Sequence, residues 1–528
     1  MTEAQSEREI VHRETLLVAW AALALGLVSL AYCMRHGTLL LYGDAVAHLH
    51  IARRVFDSLT PGFRQLGSVW LPLPHLLLLP FVWNMEWWHT GLAGACVSIP
   101  SYVLGCAGIY RLARIWLSRS AAIVVVAFYG LNPGLLYMAT TAMTEPLFLA
   151  EMIWAVLLIV QFQQSPQAKP LVVAGLVLVC AILTRYDGWI YAAVAWLFAT
   201  WPLLRDRPPW RGPLVGAWVL FTAMLIAAPS LWLAYNAKQF GDPLDFMRGP
   251  YSARAIEART TPPGSPLHPG THDLRVSKRY FLKTAELGAA PPAFGRLLCW
   301  LSAAGTLAAL WSFRRRRIWP TLLFWLPLPF YAYSVAYGSV PIFIPPWKPY
   351  SWYNTRYGLE LLPAFALFLG CLLPVFTARL PKVRSYAVPA SLLLVIANSV
   401  MLLRAQPLVF QEAVVNARTR VAFETALAKV LADLPQKGAI LMQVSSDVGA
   451  LQQASIPLRR TINEGDYLIW QHALQDPAQS AAIVVAVDED PVAQAVKRRP
   501  QGLDLLNVIC SSGHPCARIY RSRLATHP

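Results

Sequence analysis

Residues 212–235, GPLVGAWVLFTAMLIAAPSLWLAY, contain no charged side chain. A helix crosses a bilayer core with about 20 apolar residues, because its backbone donors and acceptors are satisfied internally where no water can serve them. Residues 15–34, 120–144 and 318–347 are charge-free in the same way. The 528-residue chain is 56% hydrophobic and 14% charged, with 20 Trp, 20 Tyr and 21 Phe, which departs from a soluble globular average and indicates a polytopic membrane protein.

Hydropathy places helices near 15–34, 91–110, 120–138, 146–162, 170–184, 188–204, 212–235, 297–313, 318–337, 358–377 and 385–403. The expected fold is mainly α, a transmembrane helical bundle of about eleven spans. The formal charge of +17 would suggest nucleic acid in a soluble protein, but here its placement marks topology instead. With a cytoplasmic N-terminus, the inner loops carry Arg111, Arg114, Arg119, Lys169, Arg205, Arg207, Arg211, Arg314 to Arg317, Arg379, Lys382 and Arg384. The short outer connections carry Arg185, Lys348 and Arg356, so the bias is 14 to 3. Residues 66–85 are uncharged but hold Pro72, Pro74, His75 and Pro80. Reading them as a span would invert the Arg111 to Arg119 loop, so they are expected to be interfacial or re-entrant, within an outer loop at 35–90.

A second outer loop, 236–296, is rich in Pro and Gly (Pro262, Pro263, Gly264, Pro266, Pro269, Gly270), which fits either a mobile lid or acceptor platform or a disordered linker. Residues 1–403 are expected to form the membrane domain and 404–528 a small extracytoplasmic α/β domain. The latter has an amphipathic pattern over 411–434 and apolar runs at 438–444, 481–487 and 505–510. Span one reads as a retained signal-anchor. Of eight cysteines, none forms a CxxC pair or a zinc spacing; Cys510 and Cys516, outside the spans, are spaced to close a disulfide loop.

Charge gathers at the outer mouths of the spans. Tyr42-Gly43-Asp44-Ala45-Val46-Ala47-His48 follows span one, with Asp44 and His48 on one helical face. Asp44 reads either as an N-cap or as a general base. Met143-Thr144-Glu145-Pro146-Leu147 opens span four, with Glu145 placed as a first-turn acid before a proline. Glu151, deeper in that span, reads as a pairing group. Asp187, in Thr184-Arg185-Tyr186-Asp187-Gly188, suits a turn, and Asn354-Thr355-Arg356-Tyr357-Gly358-Leu359-Glu360 opens span ten. The outer aromatics Trp70, Trp83, Trp87, Trp88, Trp347, Tyr350, Trp352 and Tyr353 read as an interfacial belt or as sugar-stacking surfaces.

An aspartate just after the first span with a histidine four residues on, followed by the Glu145 and Arg356 motifs in this order, resembles the C-type membrane glycosyltransferases, with the protein O-mannosyltransferases and the lipid A aminoarabinose transferase as nearest cousins. The resemblance covers roughly 40–380. It implies a polyprenyl-phosphate sugar donor, a glycan, lipid or protein acceptor, and inverting transfer on the outer face of a bacterial cytoplasmic membrane. By the same resemblance Asp44 is the base, and Arg356, with Lys348 and Arg185, meets the departing phosphate while His48, Glu145 and Asp187 line the substrate site, Glu145 by positioning the acceptor or by pairing with Arg356. No second acid adjoins Asp44, where many relatives carry a pair, so the cofactor stays open, a divalent cation included. The rival readings are a transporter or flippase of lipid-linked sugars, which would place its site at the midplane between repeats, and a polymerase or ligase of surface polysaccharide.

Overall fold

The structure, a computed structural model, describes residues 3–205, 212–260, 264, 266–314, 317–379, 384–434, 437–445 and 447–524. Helix α1 (Glu3–Arg35) is followed by α2 (Gly43–Arg54), α3 (Leu73–Val82), α4 (Met85–Thr90) and α5 (Leu92–Ala113). Next come α6 (Arg119–Gly130), α7 (Pro133–Met138), α8 (Glu145–Gln164), α9 (Ala168–Thr184) and α10 (Asp187–Arg205). Local chemistry sets several of these starts. Ser118 caps α6, Asn132 caps α7 ahead of Pro133, and Pro146 sits in the first turn of α8, where its missing N–H has no helical partner to lose.

The chain continues through α11 (Pro213–Phe240), α12 (Asp245–Arg248), α13 (Ala253–Thr260), α14 (Leu274–Ala289), α15 (Gly295–Phe313), α16 (Pro327–Tyr337), α17 (Leu362–Arg379), α18 (Arg384–Arg404) and α19 (Leu408–Asp433). Among the described residues, seven helical stretches are long and apolar enough to cross a membrane: Ser6–Arg35, Leu92–Ala113, Glu145–Gln164, Pro213–Phe240, Gly295–Phe313, Thr355–Ala378 and one within Ser385–Asp433. The other four expected spans are occupied by α6 with α7, α9, α10 and α16. Of these, α6 breaks from α7 at Leu131–Asn132, α9 has 17 residues, and α16 is preceded by 3-10 helix over Trp319–Trp325. Seven crossings have support in length and composition, and the count of eleven stays a reading of the charge pattern. Helix α3, ten residues long, spans about 15 Å, half a bilayer core. Arg207, Arg211, Arg315, Arg316 and Lys382 of the expected inner loops lie outside the described residues.

Contacts divide the chain into two units: Met1–His36, Ser68–Leu73 and Val97–Glu412 form the first, and Gly37–Gly67, Pro74–Cys96 and Ala413–Pro528 the second. The first is the helical bundle. Its central helix α8 is buried on nearly every face and packs on α9 and α10, while α9 packs on α11, α15 on α17 and α17 on α6. Part of the 236–296 stretch is an ordered helix, which departs from the disordered-linker reading and leaves the lid or platform reading open. Asp273 accepts from the Arg275 and Val276 N–H groups at 2.8 and 3.0 Å to start α14, whose Tyr280, Phe281, Thr284, Ala285 and Ala289 are buried against α16 and the 3-10 turn Thr355–Leu361. The apolar stripe of α14 recurs at helical spacing, and burying it outweighs the Pro and Gly content before it. Pro262 and Pro263 lie outside the described residues.

The second unit holds a five-stranded sheet of order β2-β1-β3-β5-β4, formed by β1 (Ile440–Met442), β2 (Thr461–Ile462), β3 (Ile483–Val487), β4 (Leu503–Ser511) and β5 (His514–Ser522). β1 runs parallel to β2 and β3; β5 is antiparallel to β3 and β4. Three of the strands coincide with the apolar runs, and the Cys510–Cys516 disulfide staples the β4–β5 hairpin. Residues of the 37–67 stretch fold against this C-terminal region. Gln65 donates to the Gly465 carbonyl at 3.0 Å, Asp57 accepts from the Leu458 and Arg459 N–H groups, and Arg420 of α19 donates to the Leu40 and Leu41 carbonyls at 2.9 and 3.0 Å.

Packing between α15 and α17 is closest at Gly305, where an added Cβ would lie 2.0 Å from the Phe368 carbonyl oxygen. Gly305→Ala is therefore expected to lower stability by about 1–3 kcal/mol through forced separation of the helices. Gly216→Ala in α11, with nothing within 4 Å, should gain a few tenths from helix propensity. Thermal melting of both purified variants checks this; equal melting points would show that the two helices give way freely.

Candidate functional site

In the bundle, the sequence converges on one end of α8 and α10. Thr184 closes α9, Arg185 is extended, and Asp187 opens α10 with its Oδ1 accepting from the Gly188 N–H at 3.1 Å. Gly188 is required there because a Cβ would stand 2.2 Å from the Ala181 carbonyl oxygen. This tight turn aims Arg185 inward. Its guanidinium meets Glu145 at 3.3 Å, Asp187 at 3.1 Å and Glu360 at 3.3 Å, and donates to Thr144 Oγ1 at 3.1 Å and Tyr331 Oη at 2.8 Å.

Tyr331, on α16, lies 2.8 Å from Asp187 Oδ2 and 2.7 Å from Glu360 Oε1. The hydroxyl has one proton, so it serves one of these carboxylates at a time. Arg356, from the 3-10 turn Thr355–Leu361, sits 3.1 Å from Glu145 and 3.5 Å from Glu412. Glu412 in turn accepts from the Asn354 and Thr355 N–H groups at 3.0 and 2.7 Å and from the Thr355 hydroxyl at 2.5 Å. Glu145 and Glu360 are 1% exposed and Arg356 8%, so this is a buried ionic network. Tyr357 carries both guanidinium carbons 5.0 Å from its ring centroid.

Four of the residues singled out in the sequence, Glu145, Arg185, Asp187 and Arg356, thus meet in one cluster. Glu151 stands apart, accepting from the Thr184 hydroxyl at 2.9 Å. Lys348 is exposed; its carbonyl accepts from the Tyr280 hydroxyl at 2.6 Å, and no ion pair holds its ammonium among the described residues. Tyr331 and Glu412 carry no motif and escape a sequence reading. Glu360 lies inside the quoted span-ten motif, and its signal was a single acid heading an apolar run.

Asp44 and His48 belong to the second unit, on α2. The N-cap position is Tyr42, and Asp44 is half-buried within the first turn. His48 is buried and its Nδ1 lies 2.9 Å from His75 Nε2. Both ring nitrogens of the nearby His50 lack a hydrogen-bond partner among the described residues. Burial, helped by Arg54, holds its imidazole well below the usual value, so His50 stays neutral. Among the described residues no group of three His, Cys, Asp or Glu side chains is arranged to hold a metal ion.

A bundle of this architecture with charged groups at one mouth and a small sheet-bearing unit is the fold of the C-type polytopic membrane glycosyltransferases, as the motifs led one to expect. Residues 89–233, which include Glu145, Arg185 and Asp187, match the sequence model of dolichyl-phosphate-mannose-protein mannosyltransferase. The crystal structure of ArnT from Cupriavidus metallidurans bound to undecaprenyl phosphate aligns over 97% of this chain and 99% of its own, with TM-score 0.55 and 15% identity. Its apo form aligns over the same shares with TM-score 0.53 and 16% identity. The oligosaccharyltransferase AglB of Archaeoglobus fulgidus aligns over 90% of this chain and 69% of its own, with TM-score 0.45 and 12% identity. No curated protein matches the sequence.

Removing one member of a buried ion pair leaves its partner charged in low dielectric, which typically costs about 3–5 kcal/mol. Arg185→Ala takes the guanidinium from Asp187 and Glu360 and leaves Glu145 with Arg356, so it is expected to fall in that range, with Arg185→Lys recovering part. Tyr331→Phe, which removes only the hydroxyl, should cost less than Arg185→Ala. Melting in one detergent ranks the three; an Arg185→Ala protein as stable as the parent would mean that water or protons already compensate the carboxylates.

Proposed function

We propose that this chain is an inverting glycosyltransferase that moves a sugar from a polyprenyl-phosphate-linked donor to an acceptor hydroxyl on the outer face of the membrane. The observation that carries this reading is the ionic cluster at one mouth of a bundle whose fold aligns end to end with ArnT, a protein crystallised with undecaprenyl phosphate. The 89–233 match to a mannosyltransferase supports a sugar donor of the same class.

In this reading the acceptor oxygen attacks the anomeric carbon from the face opposite the phosphate. A new C–O bond forms, the bond to the phosphate oxygen breaks, and the lipid phosphate leaves with the bonding pair. The acceptor proton passes to the Asp44 carboxylate, a role open to a half-buried first-turn acid. Charge growing on the leaving phosphate needs cationic donors. Arg185 and Arg356 already face four carboxylates, Glu145, Asp187, Glu360 and Glu412, so the exposed Lys348 is the cation with most to offer an incoming phosphate, and Arg356 follows by exchanging a carboxylate for it. Glu145 and Asp187 keep the two guanidinium groups in place. His48, tied to His75, positions the α2 face that carries Asp44. The C-terminal region then lies outside the cytoplasm with the rest of the outer face.

Incubation of the purified protein with radiolabelled polyprenyl-phosphate sugars, with and without candidate acceptors, tests the reading: transfer or slow donor hydrolysis supports it, and translocation of intact donor without bond cleavage would replace it with a flippase. Asp44→Asn is expected to reduce transfer by at least about a hundredfold while leaving the melting point unchanged; an active Asp44→Asn protein overturns the base assignment. Lys348→Ala is expected to weaken donor binding by about tenfold, one charge-assisted contact, without loss of stability. Arg356→Ala should lose both donor binding and stability, and Arg356→Lys should recover only part of each. Donor titration alongside melting separates these cases.

A further inference from the structure

The hairpin of β4 and β5 rests on α19 through its tip. Gly513, at φ +77°, makes the turn, and a Cβ added there would lie 3.0 Å from Thr419 Cγ2; the Cys510–Cys516 disulfide closes the strands on either side. His514 follows. Its ring stacks on the buried Phe423 of α19, with centroids 3.8 Å apart and planes inclined by 16°. Its Nε2 lies 3.1 Å from Asp447 Oδ1, and its Nδ1 lies 3.0 Å from the Pro515 carbonyl oxygen. The carbonyl can only accept, and so can the ionised carboxylate. Both ring nitrogens therefore donate, and an imidazole that donates twice is a cation. The surroundings agree with that count. Asp447 is 4% exposed and needs a positive partner, and the face of Phe423 favours a cation over a neutral ring. The hydrogen bond to Asp447, with smaller help from the Pro515 carbonyl and the Glu424 charge, holds the imidazole above its ordinary value in spite of its partial burial.

The contacts lead on through α19. Glu424, next to Phe423, accepts from the Gly449 N–H at 3.2 Å in the helical turn Val448–Gln453 that follows Asp447, and from Arg420 at 2.7 Å. Arg420 also donates to the Leu40 and Leu41 carbonyls just before α2. We infer that His514, as an imidazolium, is a positioning residue: it latches the hairpin and the Asp447 turn onto α19 and thereby fixes, through Arg420, the entry to the helix that carries Asp44. The sign of its pH dependence follows. The latch is closed below the ordinary imidazole value and is released as the pH rises through the raised one, where the neutral ring keeps only one of its two donors. The charged groups that face the ring are Asp447 and Glu424, with Arg420 committed to Glu424. Asp490, whose charge reaches Asp447, is pushed up by burial to about 6, so it stays ionised from neutral pH upward. The effect on transfer runs only through Asp44, and that part rests on the base assignment made above.

Ring-nitrogen NMR of the full chain, isotope-labelled at histidine, reads the charge directly, with the His514 signal assigned by its loss in His514→Gln. It is expected to titrate above the ordinary histidine value, and Asp447→Asn to bring it back down; a His514 ring that is neutral just above that value overturns the latch. Hydrogen exchange over residues 40–46, corrected for intrinsic rates, reads the coupling. His514→Gln should speed it about tenfold at neutral pH, the lower end for one hydrogen bond to a charged group. The parent should show the same gain on the alkaline side, and His514→Lys, which keeps a cation through that window, should not. Asp504→Asn, which breaks the exposed pair with Arg523 on the same hairpin, should leave residues 40–46 unchanged. Faster exchange confined to the hairpin, or an equal effect of Asp504→Asn, overturns the coupling to α2. In transfer assays His514→Gln is expected to lower kcat about tenfold at unchanged donor KM, and His514→Lys to restore it; equal kcat in His514→Gln and the parent overturns the positioning role. A parent without transfer would instead fail the glycosyltransferase reading, and the ring and exchange measurements would still decide the latch.

Discussion

The buried engagement of Arg185 with Glu145, Asp187, Glu360 and Tyr331 is the constraint on which the bundle's charged mouth depends. A guanidinium in low dielectric needs its carboxylates within about 3 Å, and each comes from a different element: the start of α8, the start of α10, and the 3-10 turn ahead of α17. Those ends must therefore coincide. Pro146 and Gly188 serve that requirement locally, the first by starting α8 at the right level, the second by allowing α9 and α10 to approach at the turn. Van der Waals packing along the helices supplies cohesion, closest where small residues such as Gly305 admit a neighbouring backbone, and the ionic contacts add a directional constraint at the helix ends. The ionic network sets the axial register.

Much of the bundle was legible because hydrocarbon imposes one rule on every span, and the eleven apolar stretches all turn out helical. The charges at the mouths were legible for the complementary reason: Glu145, Arg185, Asp187 and Arg356 are polar residues where apolar ones would be stable, so they stand out. Their pairing was not legible. Tyr331 contacts Asp187 across 144 positions and is one aromatic among many in α16, and Glu412 follows the final apolar stretch in what reads as an ordinary amphipathic helix. Helix α14 was obscured by the Pro and Gly residues ahead of it, although Tyr280, Phe281, Thr284 and Ala285 keep a helical spacing. Strand β5 was missed because Arg518 and Arg521 interrupt the buried Ala517 and Ile519, an edge-adjacent pattern with little apolar signal.

Charge balance separates two tasks that the sequence had assigned together. Two guanidinium groups facing four carboxylates cannot attract a phosphate as a free arginine would; the field at that mouth is closer to neutral or negative than the outer arginines suggest. An anionic substrate then gains most from a cation outside the network, and from an arginine that can trade one carboxylate for a phosphate oxygen at similar distance. Arg356, with one partner at 3.1 Å and another at 3.5 Å, is the looser of the two, whereas Arg185 is fixed by three carboxylates and two hydroxyls.

The placement of Asp44 follows a different logic. Its helix begins only eight residues after α1 ends, yet the chain on either side of it is held by residues 379 to 402 positions later. Arg420 holds the Leu40 and Leu41 carbonyls just before α2, and is itself fixed by Glu424 at 2.7 Å. Further along, Arg53 binds Asp57 at 2.8 Å and the Val82 carbonyl at 2.7 Å, and Asp57 in turn caps the backbone at Leu458 and Arg459. The groups that hold the chain on either side of α2 lie in α19 and in the segment before β2, so the C-terminal region, which by sequence looks like a separable appendage, forms one unit with the helix that carries Asp44.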